Sequence, residues 1–299
     1  MYKDIVIIGA GVAGMTSAIY LKRANADFVL LESHRPGGQI NFASTIENYP
    51  GFFKVSGREL ANKIYEQVKE LNVDYLEREV VKISKTDVGF EVELSDCNVI
   101  ECKKIIIATG KKIKKLDIPN VNEFVGCGLS YCATCDGMFF KNKNVIVVGD
   151  TNKALEESLY LSKICDNVTI LCDKDKMTAD KFFVEQIENV DNVDVMYNTR
   201  LVKLIKADNV TGAILSTDNV KKKISIDGCF AYVGYVPNSE LVEQIVELNG
   251  DKYIKVDKYK ETTCKGMYAI GDVTDTLVYQ LASCIGDASI CSNAILKDN

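Results

Sequence analysis

The chain reads as an α/β protein made of two Rossmann-like dinucleotide-binding domains of the three-layer ββα type, the second inserted into the first. Three observations predict this. A strand, glycine turn, helix and strand follow one another within the first 32 residues, the same succession returns about 140 residues later, and a strand-like run near the C-terminus ends as a parallel strand does.

The first unit takes Lys3–Ile8 as strand, Gly9-Ala10-Gly11-Val12-Ala13-Gly14 as turn, an apolar helix to about Ala24, and Phe28–Leu31 as the second strand. Val88–Leu94 alternates as an antiparallel addition does, and Lys104–Ala108 is apolar enough to return to the first sheet. The second unit repeats the pattern with Asn144–Val148, Gly149, the helix Ala154–Ile164 and Val168–Leu171. Gly266–Ile270 followed by Gly271-Asp272 resembles the end of a parallel strand belonging to the first sheet. The expected domains are therefore 1–114 with 235–299, and 115–234 between them, crossing near Lys114-Lys115 and Val236-Pro237.

A length of 299 residues with 47% hydrophobic and 26% charged composition suits two globular cores. A net charge of −6 argues against a nucleic-acid partner, since neutralising phosphates needs a basic face. Met1 leads into Ile5-Val6-Ile7-Ile8 without a basic leader, and no run of 18 apolar residues occurs, so a cytoplasmic protein without a membrane span is expected. Most of the 11 cysteines, such as Cys165, Cys172, Cys229 and Cys291, stand singly in apolar runs, as buried thiols of a reducing compartment do.

Gly9, Gly11 and Gly14 form a complete dinucleotide fingerprint. They provide a tight turn, an open backbone for a pyrophosphate, and close helix packing, and they leave amide groups aimed at the phosphates. Glu32 ends the next strand, where an acid accepts ribose hydroxyls and repels a 2′-phosphate. In the second unit Thr151 stands where the second glycine belongs and Asp150 adds negative charge, so a working nucleotide turn is not expected there. No arginine cluster follows its second strand. Asp173 occupies the place of a ribose-binding acid, which leaves an NADH site as the alternative.

Cys132-Ala133-Thr134-Cys135 has the spacing of a redox dithiol. It also fits half of a zinc site, but no second pair exists and His34 is the only histidine. Asp136 follows directly, placed to give or take a proton during exchange. The segment before it, Gly126-Cys127-Gly128-Leu129-Ser130, reads as loop.

Taken together, the N-terminal fingerprint, the inserted second unit and Cys132-Ala133-Thr134-Cys135-Asp136-Gly137 resemble the low-molecular-weight thioredoxin reductases over essentially the whole chain. Gly37-Gly38-Gln39, Glu47-Asn48-Tyr49-Pro50-Gly51, Ala108-Thr109-Gly110, Gly271-Asp272-Val273 and Gln280 extend the resemblance. It implies one FAD per chain, held by Gly9, Gly11, Ala13, Gly14, Glu32, Gly38, Gln39, Asn48, Thr109, Gly110, Asp272 and Gln280. It also implies thioredoxin as protein substrate, a homodimer, Cys135 as the sulfur facing the flavin, Cys132 as the one attacking thioredoxin, Asp136 as acid–base group, and a rotation at the two crossings.

The departures are the broken second fingerprint, Leu171-Cys172-Asp173 in place of the family's NADPH-binding His-Arg-Arg, and Tyr279 in place of its usual Arg. They resemble the ferredoxin-dependent flavin thioredoxin reductases, which implies reduced ferredoxin rather than NADPH as donor. A non-catalytic flavoprotein sensing redox state is the remaining alternative.

Overall fold

The computed structural model describes residues 1–43 and 45–298. Its chain divides into two compact units, Met1–Lys112 with Val236–Asn299, and Ile113–Tyr235. In chain order the first unit contributes β1 (Tyr2–Ile8), α1 (Val12–Arg23), β2 (Phe28–Glu32), α2 (Gly57–Glu70), β3 (Tyr75–Glu77), β4 (Val80–Lys85), β5 (Phe90–Leu94) and β6 (Val99–Ile107). The short β7 (Lys111–Ile113) leads out. The second unit holds β8 (Leu129–Ser130), α3 (Ala133–Asp136), β9 (Asn144–Val148), α4 (Asn152–Leu161), β10 (Asn167–Leu171), α5 (Lys181–Glu188) and β11 (Val193–Met196). It continues with β12 (Thr199–Lys206), β13 (Val210–Thr217), β14 (Val220–Ser225) and β15 (Gly228–Ala231). After β16 (Tyr235–Pro237), the first unit closes with β17 (Met267–Ala269) and α6 (Leu281–Lys297).

The first sheet runs β3-β2-β1-β6-β5-β4, with β17 also on β6. β6 explains how one strand serves two kinds of sheet. Its first residues alternate exposed and buried and pair antiparallel with β5, whereas Ile105–Ile107 are wholly buried and pair parallel with both β1 and β17. Burial on both faces suits the continuous apolar run, and one solvated face suits the alternation. The strand expected at Lys104–Ala108 is thus only the parallel half of a longer element. Likewise β5 begins at Phe90, because a turn closed by the Thr86 amide on the Gly89 carbonyl precedes it.

Side chains alternate across this sheet. Ile5, Ile7, Leu30 and Ile106 pack toward a core shared with Leu21 of α1 and Ile295 of α6. Val6, Ile8, Leu31 and Ile105 pack on the other face with Phe90 and Met267.

In the second unit five parallel strands run β11-β10-β9-β15-β8, and β12-β13-β14 form an antiparallel sheet. Val145, Val147 and Phe230 face Leu155 and Leu161 of α4, while Ile146 and Cys229 face Leu204 and Leu215 of the antiparallel sheet. Two expectations are corrected here. Helix α4 starts at Asn152 and ends at Leu161 instead of spanning Ala154–Ile164, and Leu129-Ser130, expected as loop, is a strand because it pairs with Cys229 and Phe230 of β15.

Gly14 and Gly11 separate packing from ligand access. A Cβ at Gly14 would sit 1.8 Å from the Gly9 carbonyl oxygen, whereas one at Gly11 meets nothing within 4 Å and that residue has φ −72°. Gly14→Ala is expected to lose about 3 kcal/mol of stability through overpacking. Gly11→Ala is expected to stay within about 1 kcal/mol of the parent in urea unfolding of the full chain.

Candidate active site

At the first glycine turn, Gly9 holds φ +104° against the Ala108 carbonyl, and Gly11 begins α1 with its approach face open. Glu32 is fixed by two amides. The Ala10 amide donates to one carboxylate oxygen at 2.7 Å and the His34 amide to the other at 2.9 Å. A carboxylate oriented at the end of the second strand, beside an open helix start, matches the donor and acceptor needs of a ribose and a pyrophosphate.

The remaining resemblance residues lie in the same unit, some against this turn and others in contact with one another. The Gly37 amide donates to the Ala10 carbonyl at 2.8 Å, and a Cβ built on Gly38 would come 3.5 Å from the Gly11 Cα. Gln39 donates to the Lys111 carbonyl at 3.2 Å, and Asn48 donates to the Gln280 side-chain oxygen at 3.1 Å. Gln280 in turn caps α6 through a capping box with Ser283. Thr109 donates to the Asn238 carbonyl at 2.7 Å while the Asn238 side chain donates back to the Thr109 carbonyl, and the Asn238 amide donates to Gly110. A Cβ on Gly271 would meet the Ala13 side chain at 2.9 Å, so the turn carrying Asp272 lies against the start of α1. The Gly271 amide donates to Asp287, itself ion-paired with Lys260 at 2.6 Å.

Sequence reasoning missed Lys111. Its ammonium lies 2.9 Å from the Asp272 carboxylate and 4.2 Å from the centre of the Tyr279 ring. A cation is therefore present beside Tyr279, where the resemblance implied an Arg had been lost. Nothing local distinguishes Lys111 from its neighbours in Lys111-Lys112-Ile113-Lys114-Lys115, so the sequence offered no signal.

The second turn keeps its positive-φ glycine and is tied to the segment after β10. Gly149 has φ +146° with a Tyr232 carbonyl 2.5 Å from a built Cβ. Asp150 pairs with Lys174 at 2.8 Å, and its carbonyl accepts the Thr178 and Ala179 amides at 3.0 and 2.9 Å. Asn152 and Asp180 exchange two hydrogen bonds at 2.7 and 2.6 Å. The segment after β10 is thus fastened to the turn at Asp150 and Asn152. Asp173 is exposed at the end of β10.

Cys132 and Cys135 form a disulfide. Cys132 is the N-cap of α3, half-buried, and its sulfur accepts the Cys135 amide at 3.2 Å and faces the Thr134 hydroxyl at 3.4 Å. Cys135 is exposed. Ser130, buried at the end of β8, accepts the Cys132 amide at 3.0 Å and donates to Asp136 at 2.6 Å, which aims that carboxylate along the same turn. Among the described residues no cluster of three or more His, Cys, Asp or Glu forms a metal site, and no helix is long and apolar enough to cross a membrane.

Two glycine turns on parallel sheets, with a disulfide in a tight turn of the second unit, define a dinucleotide-binding disulfide oxidoreductase. Comparison with known proteins agrees. Residues 3–288 match the family model described as pyridine nucleotide-disulphide oxidoreductase. The thioredoxin reductase of Bacillus subtilis is 33% identical over 98% of this chain and 93% of its own length. A 34.2 kDa protein of the rubredoxin operon in Clostridium pasteurianum is 34% identical over 97% of this chain and 94% of its own. Among solved structures, the thioredoxin reductase of Lactococcus lactis superposes with a TM-score of 0.92 at 32% identity, covering 99% of this chain and 98% of that one. That of T. acidophilum gives 0.89 at 33% with the same coverage. The chain belongs to the pyridine nucleotide-disulphide oxidoreductase family, and is a thioredoxin reductase-like flavin disulfide oxidoreductase.

The other thiols differ sharply from the pair. Burial pushes Cys102 and Cys284 up to about 12 and Cys165 up to about 11, and raises Cys229 and Cys291 further still. Cys97 is exposed. In iodoacetamide labelling of the native oxidised protein at pH 8, read by peptide mass spectrometry, Cys97 is expected to react at least about 100-fold faster than these buried thiols. Reduction is expected to add Cys132 and Cys135 alone to the fast class.

Proposed function

We propose that the protein is an FAD-dependent disulfide oxidoreductase that reduces thioredoxin, or a thioredoxin-like protein, through Cys132 and Cys135, with electrons from reduced ferredoxin rather than from NADPH or NADH. The observation that carries the choice of donor is the second turn, where Asp150 stands in place of a bare residue and its carboxylate and carbonyl, with the Asn152 side chain, are tied to Lys174, Thr178, Ala179 and Asp180 of the segment after β10. Thr151 adds a β-branched side chain at the point of closest backbone approach. The chain also lacks the arginines that clamp a 2′-phosphate, leaving Arg200 alone among residues 115–234.

The residues of the first unit fit FAD. Gly9, Gly11, Ala13 and Gly14 present the open helix start to its pyrophosphate, and Glu32 is already oriented for ribose hydroxyls. Gly38, Gln39, Asn48, Thr109, Gly110, Asp272 and Gln280 complete the surround. The flavin, when bound, supplies a carrier that takes electrons singly and gives them in pairs. A ferredoxin near −400 mV and a thioredoxin near −270 mV differ by roughly 6 kcal/mol for two electrons, so the direction is downhill.

After reduction the Cys132 thiolate attacks one sulfur of the thioredoxin disulfide. A mixed disulfide forms, and the first thioredoxin thiolate leaves. Cys135 then attacks the Cys132 sulfur, restoring the internal disulfide and releasing the second thioredoxin thiolate. Asp136, aimed by Ser130, handles the protons of this exchange. The Cys135 amide at the Cys132 sulfur favours charge on Cys132 and supports its role as the attacking thiolate. The homodimer rests on the family resemblance, and the cytoplasmic location on the sequence reading of the N-terminus and of the apolar runs.

Thioredoxin thiol formation is the assay for this reading. Cys135→Ser is expected to lose at least about 10³-fold in turnover while keeping its flavin, and to trap Cys132 in a mixed disulfide with thioredoxin. Asp136→Asn is expected to fall by about 10². A Cys135→Ser protein that reduces thioredoxin at the full rate overturns the mechanism.

A further inference from the structure

A line of polar groups, half-exposed at Lys153 and buried from Glu157 onward, runs from the second glycine turn to the redox turn, entirely within the second unit. Lys153 and Glu157 stand four residues apart on α4, with the ammonium 2.5 Å from a carboxylate oxygen. Glu157 is 4% exposed, so its charge is tolerable only because Lys153 meets it. Burial pulls the Lys153 ammonium down, but the Glu157 and Glu156 carboxylates outweigh it and leave it above the ordinary lysine value. The Tyr232 hydroxyl donates to the other Glu157 oxygen at 3.4 Å and accepts the Ala133 amide at 2.9 Å.

The polarity of this line is fixed. An amide only donates and a carboxylate only accepts, so the phenol must take the Ala133 hydrogen and give its own proton to Glu157. Tyr232 is itself clamped. Its amide continues the ladder by donating to Val148 at 2.8 Å, and its carbonyl lies against Gly149. Ala133 is fully buried, so its amide has no water to turn to if the phenol oxygen is removed. Ala133 also lies between Cys132 and Cys135, inside the turn whose Cys135 amide reaches the Cys132 sulfur.

We propose that Tyr232 is a positioning residue for the redox pair. By holding the Ala133 amide against the Lys153–Glu157 pair, it fixes the turn in which the Cys135 amide meets the Cys132 sulfur, and so makes Cys132 the nucleophilic sulfur. This rests on the reading of Cys132 and Cys135 as the redox pair. It gives Lys153, in the broken fingerprint, a task directed at the disulfide.

The test is the pH profile of Cys132 alkylation in the full chain after dithiothreitol reduction, read by peptide mass spectrometry with thermal unfolding as the fold control. Asp136 and Thr134 are the other groups beside the pair and are left unchanged. Tyr232→Phe is expected to move the midpoint of Cys132 labelling up by about one pH unit, a tenfold slower reaction on its acid side. Glu157→Gln keeps an acceptor for the phenol proton and is expected to stay within about threefold of the parent. A Tyr232→Phe profile that coincides with the parent overturns the proposal. If that variant does not fold, hydrogen exchange of the Ala133 amide in the unaltered protein decides, with protection in both redox states expected and exchange at the rate of an open turn overturning it. Neither thioredoxin nor an electron donor takes part, so a failure of the reductase reading would appear in turnover and not here.

Discussion

A nucleotide's phosphates reach a helix start only where the backbone is bare, and in this chain Gly11 keeps that position bare in the first turn whereas Thr151 stands at it in the second. Gly14 lies against the Gly9 carbonyl with no room for a Cβ, which seats α1 directly on the end of β1 and turns the open Gly11 outward. Glu32, Gly38 and the Asp272 turn are placed by that seating, since each touches the turn or the first residues of α1. The second unit keeps the same seating through Gly149 and Ala154. There the outward face is tied down by the segment after β10. On the proposed reading, one motif serves as a ligand site in the first unit and as a structural joint in the second.

The second turn also connects to the redox turn. Lys153 lies in the glycine-fingerprint stretch and turns to the buried Glu157, and Tyr232 carries that charge pair to the disulfide turn. A buried carboxylate without a cation would be strongly destabilising, so Lys153 differs in kind from Thr151. Thr151 stands where a glycine is required, whereas Lys153 neutralises Glu157. In the first unit the Lys111–Asp272 pair beneath Tyr279 has the same character, placing a positive charge where the usual Arg is missing.

What the sequence made legible is what short-range chemistry encodes. Gly9, Gly11, Gly14 and Glu32 carry their meaning in spacing along one βαβ unit, and Cys132 and Cys135 in a separation of three. Thr151 was readable as an obstruction because the fingerprint tells which position must be bare. Lys111 was not, since its partners Asp272 and Tyr279 lie more than 160 residues away and meet it only through the folded sheet. Tyr232 stands in an apolar run that gives no sign of its partner, and only the pairing of β15 with β9 brings its phenol to the Ala133 amide. The fastening of Asp150 and Asn152 was hidden within the mixed charges of Cys172–Lys176 and the residues after them. Strand limits failed for the same reason, as β6 changes partners midway and its two halves follow different patterns.

The most direct measurement is an anaerobic titration of the purified flavin-loaded protein with NADPH, NADH and chemically reduced ferredoxin, followed by bleaching of the flavin absorbance. Only ferredoxin is expected to bleach the flavin at stoichiometric amounts, with thioredoxin thiols appearing afterwards. Stoichiometric bleaching by NADH or NADPH would contradict the account, because it would mean that the segment fastened across Gly149 opens to admit a dinucleotide.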